Sequence, residues 1–428
     1  ALYRPGTGTM WILKNDGGAF TPVYQQGDPG NGIGGYDLAS PGDRALAFDY
    51  DGSGRLDHLA LYRPGTGTMW ILKNDGGAFT PVYQQGDPGN GIGGYDLASP
   101  GDRAFAFDYD GSGRLDHLAL YRPGTGTMWI LKGAYVRRDV WSLQANPPWD
   151  PVTEAYALAI RVMQARSATD PTSWTFQAAM HGSYQPVPPG AKWNLCQHGQ
   201  WFFLPWHRMY VYYFERIVRA AVVAGGGPAD WALPYWNYDQ ATPRNTMPLP
   251  FRQPTMPDGS PNPLYIVPPQ RAAAYMNGSG LATTITSSAT AMDAFHTRFF
   301  PPPNSPAASS FGGGRTTPSH FSGNYGALEL TPHNAIHVAI GGQGSGQCQG
   351  GLMSDPNCAA FDPIFWLHHA NIDRLWNVWL GLGGGRANPT DAAWLGQSFD
   401  FYDETGAAVT LTGAEVVDAA RQLGYVYA

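Results

Sequence analysis

The chain has 428 residues, 43% of them hydrophobic and 13% aromatic, enough for two or three domains with sizeable cores and too apolar for a disordered chain. Charged residues make up 14% and the formal net charge is −7. No Lys/Arg cluster appears and no apolar run approaches ~20 residues, which excludes nucleic acid, an anionic membrane surface and a bilayer span.

Residues 1–59 and 60–118 are the same sequence twice, differing only at Leu46 against Phe105. A third copy starts at Ala119 and stops at Lys132. Each copy alternates short β-like runs ("TMWILK", "FTPVYQ", "LAFDY") with Gly/Asp/Pro turns, which predicts one small antiparallel sheet per repeat. Such units need neighbours to bury a face, so this all-β region, 1–132, is expected to form partial propeller-like blades with exposed edges. Each full copy also carries "DYDGSGRLD". Asp49, Asp51, Ser53 and Asp57, and again Asp108, Asp110, Ser112 and Asp116, set oxygen side chains around a Gly turn, a pattern that suits Ca2+. An ion-free Asp/Gly turn is the plainer alternative. The repeats resemble integrin-type calcium-loop propeller repeats of secreted bacterial proteins and lectins. That resemblance implies a secreted or cell-envelope protein of a bacterium; the chain itself opens on Ala1 without a signal peptide.

From residue 134 to 428 the pattern becomes helical. "DPVTEAYALAIRVMQARS" has helical periodicity behind a Pro. "WHRMYVYYFERIVRAAVVAGGG" is a long apolar helix ended by glycines. "TPHNAIHVAI" is a short helix with Thr331 as cap and Pro332 in its first turn. "DPIFWLHHANIDRLWNVWLGLGGG" is a fourth. Pro-rich loops near 242–270 and 299–319 separate them. The expected architecture is a mainly α, four-helix-bundle domain with long loops and a site in its core.

Of eleven histidines, nine lie in this helical region. A single His in an apolar stretch is most often a hydrogen-bonded core residue; the grouping argues otherwise. His333 and His337 stand four apart, so their rings leave one helix face about a turn apart. His369 lies on the last helix, with Asp373 four residues on as an orienting carboxylate. His207 begins the second long helix, His198 precedes it in a loop, and His181 ends an earlier helix. Imidazole suits copper or zinc, and an apolar shell of Trp and Phe controls access and redox potential. A mononuclear zinc hydrolase needs only three histidines; six in two triplets point to a pair of metals. The three cysteines leave Cys196 over if Cys348 and Cys358, ten apart, close a loop.

The segments "MHGSY", "CQHGQWFFLPWHRMYVYYFE", "PHNAIHVAIGG" and "DPIFWLHHANIDRLW" resemble the copper-A and copper-B signatures of tyrosinases and catechol oxidases, the type 3 copper proteins. The resemblance runs from about Val136 to the end. It implies two copper ions, one on His181, His198 and His207, the other on His333, His337 and His369, with His368 outside the first shell and His296 and His320 in structural roles. It implies a thioether between Cys196 and His198; a buried free thiol is the alternative. It implies a gate residue in "GGLMSDPNC", for which Leu352 and Met353 are candidates, and a water held by Glu329 and Asn334 that takes the phenol proton. The closing Tyr425-x-Tyr427 motif is expected to meet Arg137 or Arg138, and no shielding domain follows, so the site is expected to be open. The implied activity is hydroxylation of monophenols and oxidation of o-diphenols to o-quinones by O2. The implied partners are small phenols and O2; a copper-delivery or secretion helper protein is a further candidate that the sequence does not itself show. Alternatives are a catechol or o-aminophenol oxidase, a hemocyanin-like oxygen carrier, and a glycan-binding role for the repeats.

Overall fold

The computed structural model describes residues 1–50, 55–109, 113–143, 149–228, 230–342 and 346–428. The chain divides into two compact units, Ala1–Tyr135 and Val136–Ala428.

In the first unit the alternating apolar runs form antiparallel strands: β1 (Leu2–Arg4), β2 (Thr9–Asn15), β3 (Phe20–Gln25), β4 (Arg44–Phe48), β5 (His58–Arg63), β6 (Thr68–Asp75), β7 (Ala78–Gln84), β8 (Arg103–Phe107), β9 (His117–Arg122) and β10 (Thr127–Lys132). They pair in chain order as three sheets, β1–β3, β4–β7 and β8–β10. A sheet therefore straddles the repeat boundary: β4 belongs to the first copy, β6 and β7 to the second, and β5 crosses between them. Sequence identity sets the repeat length but not the phase at which strands pair. Two apolar cores result. Met10, Ile33, Tyr36 and Leu38 pack with Leu59, Leu61 and Leu72 of the following strands. The same arrangement recurs one period on, with Met69, Ile92, Tyr95 and Leu97 against Leu118 and Leu120. Asp43, fully buried, accepts hydrogen bonds from the Tyr36 hydroxyl at 2.9 Å and Arg63 Nε at 2.8 Å, which ties one copy to the next.

The described residues support neither a propeller nor a calcium site. Among the described residues the unit is three short antiparallel sheets and no propeller is seen, since two copies and a fragment supply too few strands for a closed ring. Calcium is not supported either. Asp51, Ser53, Asp110 and Ser112 lie outside the described residues. Asp57 lies 2.9 Å from His58 Nδ1, and Asp116 lies 2.8 Å from His117 Nδ1 and 3.1 Å from Lys132 Nζ. Asp108 accepts the Gly113 N–H at 2.7 Å, and the Asp49 amide donates to the Leu115 carbonyl at 3.1 Å. Among the described residues, no set of three ligand side chains converges in this unit.

The second unit is helical. Its main helices are α1 (Pro151–Gln164), α2 (Trp174–His181), α3 (Phe203–Ala224), α4 (Ala335–Gly341) and α5 (Ile364–Gly381). Asp150 caps α1 by accepting the Val152 N–H, with Pro151 at its first position, and Ser173 caps α2 by accepting the Phe176 N–H. α3 packs on α1 and on α5. Between α3 and α5, Phe214 stacks on Trp366 with ring centroids 3.4 Å apart. A second apolar cluster joins Trp201, Phe203, Phe311, Trp376, Trp379 and Trp394 under the long loops. Cys348 and Cys358 form a disulfide. Strand β11 (Tyr135–Arg137) pairs with β14 (Tyr425–Tyr427), and β12 (Ser398–Tyr402) with β13 (Ala408–Thr412). No helix among the described residues is long and apolar enough to cross a membrane.

Candidate metal centre

Two groups of histidines converge in the helical unit. The ring nitrogens of His181, His198 and His207 lie within 4.8 Å of one another, as do those of His333, His337, His368 and His369. His181 is the last residue of α2, His207 sits in the second turn of α3, and His369 lies mid-α5. His333 and His337 flank the start of α4, with ring centroids 4.6 Å apart. The helical stretch that carries this pair begins after Thr331, the residue expected to cap it. Thr331 is extended (φ −145°, ψ 120°), so Glu329 lies on a turn separated from α4 by a kink. The groups face each other: the His207 and His369 rings stack at 4.6 Å with 15° between their planes.

One nitrogen of most of these rings is fixed by the protein. Nδ1–H of His181 donates to the Pro356 carbonyl at 2.8 Å, that of His207 to Phe203 at 2.8 Å, and that of His337 to Met353 at 2.7 Å. His333 Nδ1 donates to Asn334 Oδ1 at 2.8 Å. A carbonyl can only accept, so the hydrogen sits on Nδ1 and the Nε2 lone pair points inward. Nε2 of His181, His207, His333 and His368 is buried with no hydrogen-bond partner, and Nε2 of His337 and His369 face each other at 3.3 Å. Burial is the largest cause holding all these rings below the usual imidazole range, to about 3 for His207 and about 4 for His337. The rings are thus neutral, buried, and short of partners on their inner nitrogens, which is the donor set a pair of copper ions takes.

The remaining residues singled out by sequence fall as follows. His368 is one of the second histidine group; its Nδ1 lies 3.1 Å from the Tyr238 hydroxyl and its Nε2 is buried with no hydrogen-bond partner. Asp373 does not orient His369. It accepts from Arg208 Nε at 2.5 Å, Arg137 Nη1 at 3.2 Å, and the hydroxyls of Tyr425 and Tyr427 at 2.5 and 2.6 Å. Two buried guanidinium groups outcompete a neutral ring for the carboxylate, and His369 Nδ1 has no partner. Glu329 is buried; one oxygen accepts the Gly199 N–H at 2.8 Å, the other has no partner, and burial pushes the carboxyl well up. Gly199 has φ +64°, and a Cβ there would stand 2.6 Å from Gly323 N, so this close approach requires glycine. His296 bridges Asp293 and the Ala308 carbonyl, outside both groups.

The histidines floor a cavity of about 250 Å³ whose rim includes Phe321, Tyr325, Asn334, Val338 and Met353. Met353 is buried and reaches the cavity, whereas Leu352 does not line it. Phe321 was not foreseen: its ring stacks on His198 at 5.3 Å and 15° while remaining 44% exposed. It lies in a Ser/Gly loop with no periodicity, so nothing local marks it. A larger depression of about 530 Å³ lies by Tyr235, Arg374 and Tyr427 but contains no histidine, so size does not locate the chemistry here.

A helical domain that turns two facing sets of neutral imidazole nitrogens toward one another is that of a dinuclear copper protein. Residues 171–382 match the common central domain of tyrosinase, and residues 388–428 the polyphenol oxidase middle domain. The chain is similar to tyrosinase HcTyr1 of Hahella sp. (strain CCB-MM4), 38% identical over 318 residues, 68% of this chain and 62% of that protein. Among solved structures it is similar to latent apple tyrosinase, with 28% identity, TM-score 0.53, and 69% of this chain and 62% of that one covered. It is also similar to Grenache (Vitis vinifera) polyphenol oxidase, with 27% identity, TM-score 0.53, and coverage of 69% and 85%. Through its helical unit the chain belongs to the tyrosinase family of type 3 copper proteins, whose site takes two copper ions. It spans less than two thirds of the length of the Hahella protein.

Proposed function

We propose that this chain is a tyrosinase-type oxidase, using O2 to hydroxylate monophenols at the ortho position and to oxidise o-diphenols to o-quinones. The observation that carries the reading is the pair of facing histidine groups, with inner nitrogens unpartnered, beneath a cavity with aromatic walls. His181, His198 and His207 hold one copper, and His333, His337 and His369 the other. Once bound, the copper pair supplies the binding and activation of O2 and the redox chemistry.

The protein's own residues do the rest. The carbonyls of Pro356, Phe203 and Met353, and the Asn334 side chain, hold four rings in one tautomer and orientation. The stacked Phe321 ring offers a planar face to a phenol entering over His198. Met353, rather than Leu352, is the better gate candidate, since it lines the cavity. A monophenol must give up its hydroxyl proton. Glu329, with one oxygen tied to Gly199 and a raised proton affinity from burial, takes it through a water shared with Asn334. A thioether between Cys196 and His198 locks the one ring of its group whose Nδ1 has no carbonyl partner. The disulfide supports an oxidising compartment and so export; a helper protein that delivers copper or assists secretion is proposed alongside it.

The test is a substrate panel of tyrosine, tyramine, catechol and o-aminophenol on copper-loaded protein, following quinone absorbance and O2 uptake. Catechol should turn over faster than the monophenols. Turnover of catechol or o-aminophenol alone would make it an oxidase without monophenolase activity; no quinone at all would leave an oxygen carrier.

A further inference from the structure

The segment 348–358 reaches both histidine groups. Its Met353 carbonyl accepts the His337 Nδ1–H at 2.7 Å, and its Pro356 carbonyl accepts the His181 Nδ1–H at 2.8 Å. One short loop thus fixes one ring of each group. The other rings are held elsewhere. His207 donates to Phe203 of its own helix and His333 to the neighbouring Asn334. His198 faces the Cys196 sulfur, which lies 3.2 Å from its Nδ1 and 3.2 Å from that of His320.

The loop has no helix or strand of its own; residues 348–358 form only turns and a bend. Its position therefore depends on contacts. The Leu352 N–H donates to the Gln270 carbonyl at 3.1 Å, and the Tyr184 hydroxyl to Asp355 Oδ2 at 2.8 Å. Gly182, which follows His181, comes so close that a Cβ there would stand 2.6 Å from the Pro356 oxygen. The Cys348–Cys358 disulfide joins the ends of this loop across ten residues, just before the turn Ala359–Phe361 that leads into α5 and His369. Closing so short a loop removes most of the arrangements open to the unlinked segment. Cys358 is buried, but Cys348 is half-buried between exposed Gln347 and Gln349, so a small reductant reaches the bond from that side.

We infer that the Cys348–Cys358 disulfide is a positioning element of the metal centre: by closing the loop it holds the Pro356 and Met353 carbonyls against His181 and His337, so that breaking it loosens both copper sites together. The inference rests on the assignment, under Proposed function, of these two rings to different coppers.

The experiment uses the full chain, with nitrogen-labelled histidine, loaded with Cu(I) without oxygen. That state has no unpaired electrons, so ring N–H signals are read by NMR. The parent is compared with the double variants Cys348→Ser/Cys358→Ser and Cys348→Ala/Cys358→Ala, and with parent reduced by a phosphine before copper loading. In that reduction the S–S bond breaks, the phosphine takes the oxygen of a water molecule to become a phosphine oxide, and the two water protons end on the sulfurs. Without the disulfide, both copper sites should weaken ~10–100-fold, the range for losing a group that orients a ligand. The Nδ1–H signals of His181 and His337 should exchange with water faster, while that of His207 stays protected by its own helix. Reoxidation of the copper-free reduced parent by O2, which takes two electrons and two protons to become hydrogen peroxide, should restore both properties. Should the double variants not fold, the reduced parent carries the comparison. Parental copper affinity with parental exchange at all three rings overturns the inference. Equal loosening of His207 also overturns it, since the bond would then serve general stability. A parent protein that binds one copper or none overturns the two-copper reading beneath it, a result distinct from either.

Discussion

Arg137 donates a hydrogen bond from Nη1 to the hydroxyl of Tyr427 at 2.8 Å, joining residues 290 apart in sequence. The same guanidinium lies 3.6 Å over the Tyr425 ring and pairs with Glu215 at 2.6 Å and Asp373 at 3.2 Å. Arg137 is wholly buried, and these partners take up its Nε and Nη1 in place of water. Removing one side of a buried pair leaves charge uncompensated. Arg137→Ala should therefore lower the stability of the copper-loaded protein by about 3–5 kcal/mol, read from denaturant or thermal midpoints.

Asp373 adds a pH dependence. Burial alone would raise its pKa, but Arg208, Arg137 and the two tyrosine hydroxyls hold it below 3.8. A carboxyl depressed in the folded state stabilises fully above its unfolded pKa of ~3.9 and loses that contribution as pH falls through the folded value. The thermal midpoint should thus be insensitive to this group from pH 7 to about 5 and fall below about pH 4. A midpoint that fell between pH 7 and 5 equally in the parent and in Asp373→Asn would assign the loss to other groups.

Metal content separates the histidines. The parent should bind two coppers per chain, one for each histidine group. His207→Ala or His333→Ala should lose copper from its own group, measured by metal analysis after dialysis. His320→Ala should keep both ions. One copper in fully active parent protein would refute the two-metal reading.

Glu329 and Asn334 should matter for monophenols above all. Glu329→Gln or Asn334→Ala should suppress tyramine turnover, by up to ~10²–10⁴-fold, while catechol turnover falls much less. Equal loss on both substrates would assign these residues to holding the site rather than moving a proton.

Both histidine groups lie in Val136–Ala428, and among the described residues none of their ligand sets involves the repeats. Deletion of residues 1–132 should leave kcat within a few-fold. Total loss of activity in a folded, copper-loaded truncation would show that the repeats complete the site.

What the sequence determined by itself was periodic or local. The 59-residue identity announced the β repeats, and the spacing of His333 and His337 announced two rings on one face, because helix and strand periods translate directly into direction. The proline that opens α1 acts within its own first turn and is legible for the same reason. Tertiary structure decided what depends on contacts between distant segments. It gave Asp373 to two arginines and two tyrosines instead of His369, since buried charges outbid a neutral ring for a carboxylate. It set the phase of the sheets across the repeat boundary, because strand pairing follows burial rather than the point where a copy begins. It laid Phe321 over His198 and His320 against Cys196 from a Ser/Gly loop with no period to read, where position is fixed only by the groups that the loop meets on folding.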